Sequence, residues 1–158
     1  NHCRKAQIVE AAVQTEYDYV VYIEANTNSY VMYTSNRESG TPVPPIASND
    51  YEKEVAEFHH KYVPEDQRDE LTRNLSLDHV LSILQNSREY VLFCQVMENG
   101  VFRDKKLRFS FFDKERNILL LTRTDIMEVR ESGKGNYFKM PYKWLNRQIR
   151  LNRISYPV

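Results

Sequence analysis

The strongest local instruction in this chain is Asn99-Gly100, set between two long β-prone runs. Asn and Gly both tolerate the positive φ that a tight two-residue hairpin turn needs at its two central positions. Glu89 to Met97 is a near-continuous apolar run, and Val101 to Phe112 is expected to pair back on it. Within the second run Leu107, Phe109 and Phe111 alternate with Arg108 and Ser110, the period-two pattern of a strand with one drier face. A turn through Asp113 to Asn117 then leads to a third strand, Ile118 to Ile126.

The first half of the chain has a different rhythm. Ile8, Val9, Ala12 and Val13 fall on one helical stripe, which predicts an amphipathic helix that packs on the domain or, alternatively, makes a dimer contact. Two strands follow, Tyr17 to Ala25 and Ser29 to Ser35, joined by Asn26-Thr27-Asn28, residues that favour tight turns. Both faces of these strands are apolar or aromatic, so something is expected to cover each side of the sheet. Arg37 to Ser48 carries Gly40, Pro42, Pro44 and Pro45 and reads as a loop, because proline fixes φ and removes a donor. A helix is expected from a cap at Ser48 or Asn49, with Tyr51, Val55, Phe58 and Tyr62 on its core face. Pro64 suits the first turn of a second helix running to Leu75, with Glu65, Asp66 and Asp69 near its positive end. Ser76 is placed to cap a third, in which Leu77, Val80, Leu81 and Leu84 mark one face before Asn86. The pattern as a whole is α+β: two strands, three short helices, three strands.

At 158 residues the chain is sized for one core, and its eleven Tyr and seven Phe supply large groups to fill it. No apolar run approaches the roughly 20 residues of a membrane span, and the start does not read as a cleavable signal. Because the first residue is Asn1 and the earliest Met is Met32, a piece of a longer protein is expected. Cys3 and Cys94 have no CxxC spacing and make no disulfide framework, which fits a reducing, cytoplasmic setting. Six of the 22 basic residues and none of the 22 acidic ones fall after Glu131, which leaves the preceding part at 16 against 22, net −6. Such a body is not built to grip a phosphate backbone. The division expected is a flanking helix over 1–16, a domain over 17–131, and a basic tail or linker over 132–158. That tail, with Lys134, Trp144, Ile149 and Leu151, is open to three readings: contact with an acidic surface, docking on the domain, or an appended linker.

Residues that carry chemistry are sparse. His59 and His60 are neighbours, about 100° apart on a helix, whereas metal ligands on one helix favour spacings of three or four. Glu57 with His60 has that spacing but lacks further ligands; His79 fares no better, and no metal site is assigned. Cys94 lies between Phe93 and Gln95 with no cation beside it to favour thiolate, and reads as core. No phosphate loop, GxSxG elbow, HExxH or paired-cysteine zinc pattern is present, so no catalytic residue is assigned. If a ligand binds among the aromatic groups, Tyr33, Tyr51, Val55, Phe58 and Phe93 are the pocket candidates; the same residues would also serve as ordinary core.

The element order, an amphipathic helix followed by two strands, three short helices and three long strands, resembles that of PAS domains. Val63-Pro64-Glu65-Asp66 resembles the His-Pro-Asp-Asp segment that opens a PAS helix, and Thr124-Asp125-Ile126-Met127-Glu128 resembles the Asp-Ile-Thr-Glu ending of the last PAS strand. Tyr17-Asp18-Tyr19 and the run Leu119 to Asp125 look like the PAS-type sensors placed ahead of diguanylate cyclase or kinase modules in Firmicutes. The resemblance spans about residues 4 to 131. It implies a five-stranded antiparallel sheet cupping a small-molecule pocket, a homodimer, a covalently linked output domain and no catalysis of its own. It also implies a signal-coupling role for Asp125, with Met127 standing where the family has Thr. The Asn-Cys-Arg-Phe-type segment of the flavin-binding relatives is missing, so no flavin is expected. Gly133, Gly135 and Pro141 depart from the long exit helix usual after such domains. Two other readings stay open: a ligand-free dimerisation or interaction module, and a small metal-dependent enzyme using Glu57 and His60.

Overall fold

A computed structural model describes residues 17–34, 40–130 and 137–141. The expected helix over Ile8 to Val13, Cys3, and most of the basic tail lie outside the described residues. The described chain is α+β, a six-stranded antiparallel sheet with three helices on one face. The strands are β1 (Tyr19–Glu24), β2 (Ser29–Tyr33), β3 (Ala47–Ser48), β4 (Tyr90–Glu98), β5 (Val101–Asp113) and β6 (Ile118–Arg130), arranged β3-β2-β1-β6-β5-β4. A further strand, β7 (Tyr137–Pro141), pairs with the far end of β6. The helices are α1 (Tyr51–Tyr62), α2 (Glu65–Asn74) and α3 (Leu77–Leu84). None of the described helices is long and apolar enough to cross a membrane.

The hairpin signal is realised at Asn99 and Gly100, whose φ values of 52° and 80° close β4 onto β5 with Glu98 opposite Val101. The first hairpin turns through a 3-10 segment, Ala25–Thr27, and Asn28 in the left-handed region at φ 54°. Asn28 also starts α1: its carbonyl accepts from Tyr51 N at 2.8 Å and its side-chain oxygen from Glu52 N at 3.2 Å. The cap expected at Ser48 or Asn49 is instead Asp50, whose carboxylate accepts from Lys53 N, while Ser48 stands in β3. Helix α1 stops at Tyr62 because Pro64 drives Val63 into an extended conformation. Pro64 itself caps α2 rather than entering its first turn, and Ser76 caps α3 as expected.

The sheet has more strands than the five expected. Ala47–Ser48, read as loop, pair with Val31 and Tyr30 as β3. Strand β6 runs four residues past Ile126 because β7, in the segment read as tail, supplies a partner for them. The helices cover one face, and Ile23, Phe109 and Leu119 of the sheet and Val80 of α3 are fully buried. Each such side chain contributes about 1.5–3 kcal/mol relative to exposure.

Candidate functional site

Strand pairing builds the helix-facing side of the sheet in rows. Phe111, Leu119, Ile23 and Tyr30 form one row across β5, β6, β1 and β2; Phe109, Leu121, Val21 and Met32 form the next. The third row reads Leu92, Leu107, Arg123, Tyr19, and the fourth Cys94, Lys105, Asp125. Hydrocarbon therefore gives way to charge along the strands, entirely within the buried face.

At the charged end five ionic side chains meet. Arg123 and Lys105, 1% and 0% exposed, share one oxygen of Asp18: Arg123 Nε donates to Asp18 Oδ2 at 3.0 Å and Lys105 Nζ to the same atom at 2.9 Å. Lys105 also donates to Glu98 Oε2 at 2.8 Å and to Asp125 Oδ1. Thr41 donates to the other Glu98 oxygen at 2.6 Å. Burial alone would pull the Lys105 ammonium down, but Asp18 and the bonds to Asp125 and Asp18 raise it above its ordinary range. Burial alone would push Glu98 up, yet the bonds from Lys105 and Thr41 hold its carboxyl below the usual value. The ion pairs are direct and their side chains are buried or nearly so, which makes the loss of any one partner expensive.

Next to this cluster, between the helices and the sheet, lies a cavity of about 50 Å³, walled among others by Val21, Met32, Leu71, Leu121, His59 and Arg123. The guanidinium of Arg123 lies over the Tyr19 ring at 4.5 Å and near Phe58 at 5.6 Å, within cation–π reach of both. Its Nη2 donates to Pro42 O at 2.7 Å, but its buried Nη1 has no hydrogen-bond partner. Burial pushes the Tyr19 phenol up to about 12 against the pull of Arg123, so it stays neutral at physiological pH. Burial pulls His59 down to about 4, leaving a neutral imidazole whose Nδ1 meets Thr72 Oγ1 at 2.7 Å. Burial raises the Cys94 thiol to about 11, which makes it inert as a nucleophile.

Of the residues read as pocket candidates, Tyr51, Val55 and Phe58 line this cavity. Tyr33 and Phe93 do not: each stands in the opposite strand phase to the lining residues Met32 and Cys94. Phe93, 54% exposed, borders instead a cleft of about 250 Å³ at the sheet edge with Asp66, Gln67 and Glu70 of α2. Asp125 joins the ion cluster through Lys105. Glu57 and His60 are exposed, His79 packs its ring on Tyr90, and no group of three or more metal-ligating side chains occurs among the described residues. Asp18, Glu98, Lys105 and Arg123 escaped the sequence reading, although Arg123 continues the inward phase of Leu119 and Leu121, and Lys105 that of Leu107 and Phe109. A lone charge in phase with a buried stripe was the signal.

No protein-family model, curated protein or solved structure matches this chain.

Proposed function

We propose that this chain is a PAS-type sensory module of a larger bacterial signalling protein, regulating a covalently linked output domain by binding a small molecule between sheet and helices. The observation that carries the reading is the apolar cavity beneath the helices, into whose wall the sheet brings the buried cation of Arg123. Convergent polar groups in an apolar concavity are the general form of a ligand site. Five long antiparallel strands under three short helices, and Asp125 bonded inside the fold rather than exposed, support the same reading. The module is regulatory, works in the cytoplasm as a homodimer, and performs no reaction of its own. Native mass spectrometry of the chain after exposure to a small-metabolite extract tests it: a retained mass that also shifts the Val21, Leu71 and Leu121 methyl resonances is expected. No retained mass and no methyl shift would sink the reading.

The size of the cavity favours one second reading. At about 50 Å³ it is smaller than the roughly 300–1,000 Å³ of a site for drug-sized ligands, and a fold held ready for protein contacts alone needs no more. In that case the chain is a ligand-free dimerisation module. A monomer in sedimentation of the chain both with and without residues 1–16 removes the dimerisation reading, while a dimer that retains no small molecule in native mass spectrometry favours it over the sensor.

A further inference from the structure

The two edges of the sheet are unequally protected. An exposed edge strand invites pairing by another segment, and folded proteins blunt it by brevity, by proline or lysine, by a bulge, or by a cover. At one edge β3 is only two residues long. At the other, β4 runs for nine residues with no proline, lysine or arginine, and its one charge, Glu98, is turned into the buried ion cluster. Its register with β5 runs without a bulge, and among the described residues no strand pairs with its outer side. The cleft of about 250 Å³ lies along this edge. Leu92, Phe93 and Cys94 line it in succession, which alternating side chains do only where a strand shows its edge rather than a face. The facing wall is α2, whose Asp66 and Glu70, one turn apart, are exposed and form no ion pair among the described residues.

Charge selects what covers the edge. A second copy pairing β4 to β4 would bring two acidic α2 walls together, and like charges across an interface oppose it. A basic segment would be drawn in. Residues 142–158 carry Lys143, Arg147, Arg150 and Arg153 and no acidic residue, and Ile149, Arg150, Leu151 and Asn152 alternate apolar with polar. They also start within reach. Strand β7 ends at Pro141 opposite Ile126, one residue past the row of Cys94, Lys105 and Asp125. At one strand spacing per step, a strand added outside β4 stands roughly 15–20 Å from β7. The seven residues 142–148 span up to roughly 23 Å. We propose that residues 149–154 of this chain pair with the outer edge of β4 as an added strand, the neighbouring basic side chains drawn to Asp66 and Glu70. Of the three readings of the basic tail this is docking on the domain, with its site named, and it makes the tail the cover of an otherwise open edge.

Amide hydrogen exchange read by NMR on the intact chain at low salt tests this. Along β4 the amides that point away from β5 alternate with those bonded to it, so the second set reports on the fold while the first reports on the cover. The outward amides should exchange at least about tenfold more slowly than free amides. Asp66→Asn with Glu70→Gln, both exposed positions, should speed them about tenfold and leave the amides bonded to β5 as they were. Arg150→Pro with Leu151→Pro should do the same, because one of these two neighbouring amides must face β4 and proline has no N–H. Glu65→Gln with Asp69→Asn, which do not line the cleft, should change nothing; a loss as large as that of the cleft pair would make the attraction general and sink the proposal. Outward amides that exchange freely in the native chain, or protection that survives the two prolines, would overturn it. Protection that rises with protein concentration alongside a dimer in sedimentation would hand the edge to a second copy and overturn it as well.

Discussion

The two ends of the helix-facing side of the sheet are built on the same strands by the same alternation, yet they respond to change in opposite ways. Two rows hold only hydrocarbon and aromatic groups such as Ile23, Leu119, Val21 and Leu121, with a cavity where packing is incomplete. Two residues further along, the inward positions are Arg123, then Asp125 beside Lys105, and every charge is tied to a named partner. The apolar end has slack. The ionic end has none, because attraction in a dry interior offsets desolvation only while the whole set is present.

The largest expected effect therefore lies at Lys105. Lys105→Met removes one cation and leaves Asp18, Glu98 and Asp125 facing one another with its three bonds gone. We expect a loss of about 3–5 kcal/mol in urea unfolding, the usual result of breaking a buried ion group by one partner. A loss below about 1 kcal/mol would mean that water reaches the cluster and that the contrast between the two ends is false. Replacing Lys105, its carboxylates and Arg123, which shares Asp18 with it, together by apolar groups of similar volume should recover most of the loss.

That contrast also explains what the sequence disclosed. The apolar end was legible because period-two stripes and turn dipeptides act locally: Leu107, Phe109 and Phe111 announced their face, and Asn99-Gly100 its hairpin. Helices α1 to α3 were legible from their stripes and from Ser76 and Pro64. The ionic end was not, because Asp18, Glu98, Lys105 and Arg123 are up to 105 residues apart and meet only through strand register. Each looked like an ordinary surface charge in its own segment. Tyr33 and Phe93 were misplaced for a related reason: in strands that are apolar on both sides, composition does not say which phase faces the helices. Strand β3 was hidden by its two-residue length, below what any periodicity reveals.

The two ends should also titrate in different windows. His59, in the cavity wall, has its folded pKa depressed to about 4 by burial, against 6.5 when unfolded. A depressed pKa means the unfolded chain takes up the proton first, so stability present above pH 6.5 is lost as pH falls towards 4. The size is roughly 2–3 kcal/mol. Glu98, also depressed, keeps its contribution above 4.5 and loses it only below that value. Lys105 is raised, so its contribution persists at low pH and is lost only as pH climbs above 10.5. Chemical denaturation between pH 7 and 4 should therefore show a decline that His59→Asn, which preserves a polar partner for Thr72, largely abolishes. An unchanged decline in the variant would place the acid sensitivity in the ionic end and reverse the assignment.

The smallest effect is also the sharpest test of slack. Val21 is 3% exposed and borders the cavity, so Val21→Ile adds one methyl group where space exists. Filling a void restores contacts that its lining atoms lack, and a gain of about 0.5–1 kcal/mol is expected. In a fully packed site the same methyl would instead cost about 1–3 kcal/mol through strain. The sign alone decides, and it does so without any ligand. If the variant is stabilised, and dissolved xenon shifts the Leu121 methyls of the native chain but not of the variant, the space in question is the ligand cavity itself. A destabilised variant would show that the volume near Val21 is not usable by a side chain, and the difference between a slack end and a taut one would shrink to a difference in polarity.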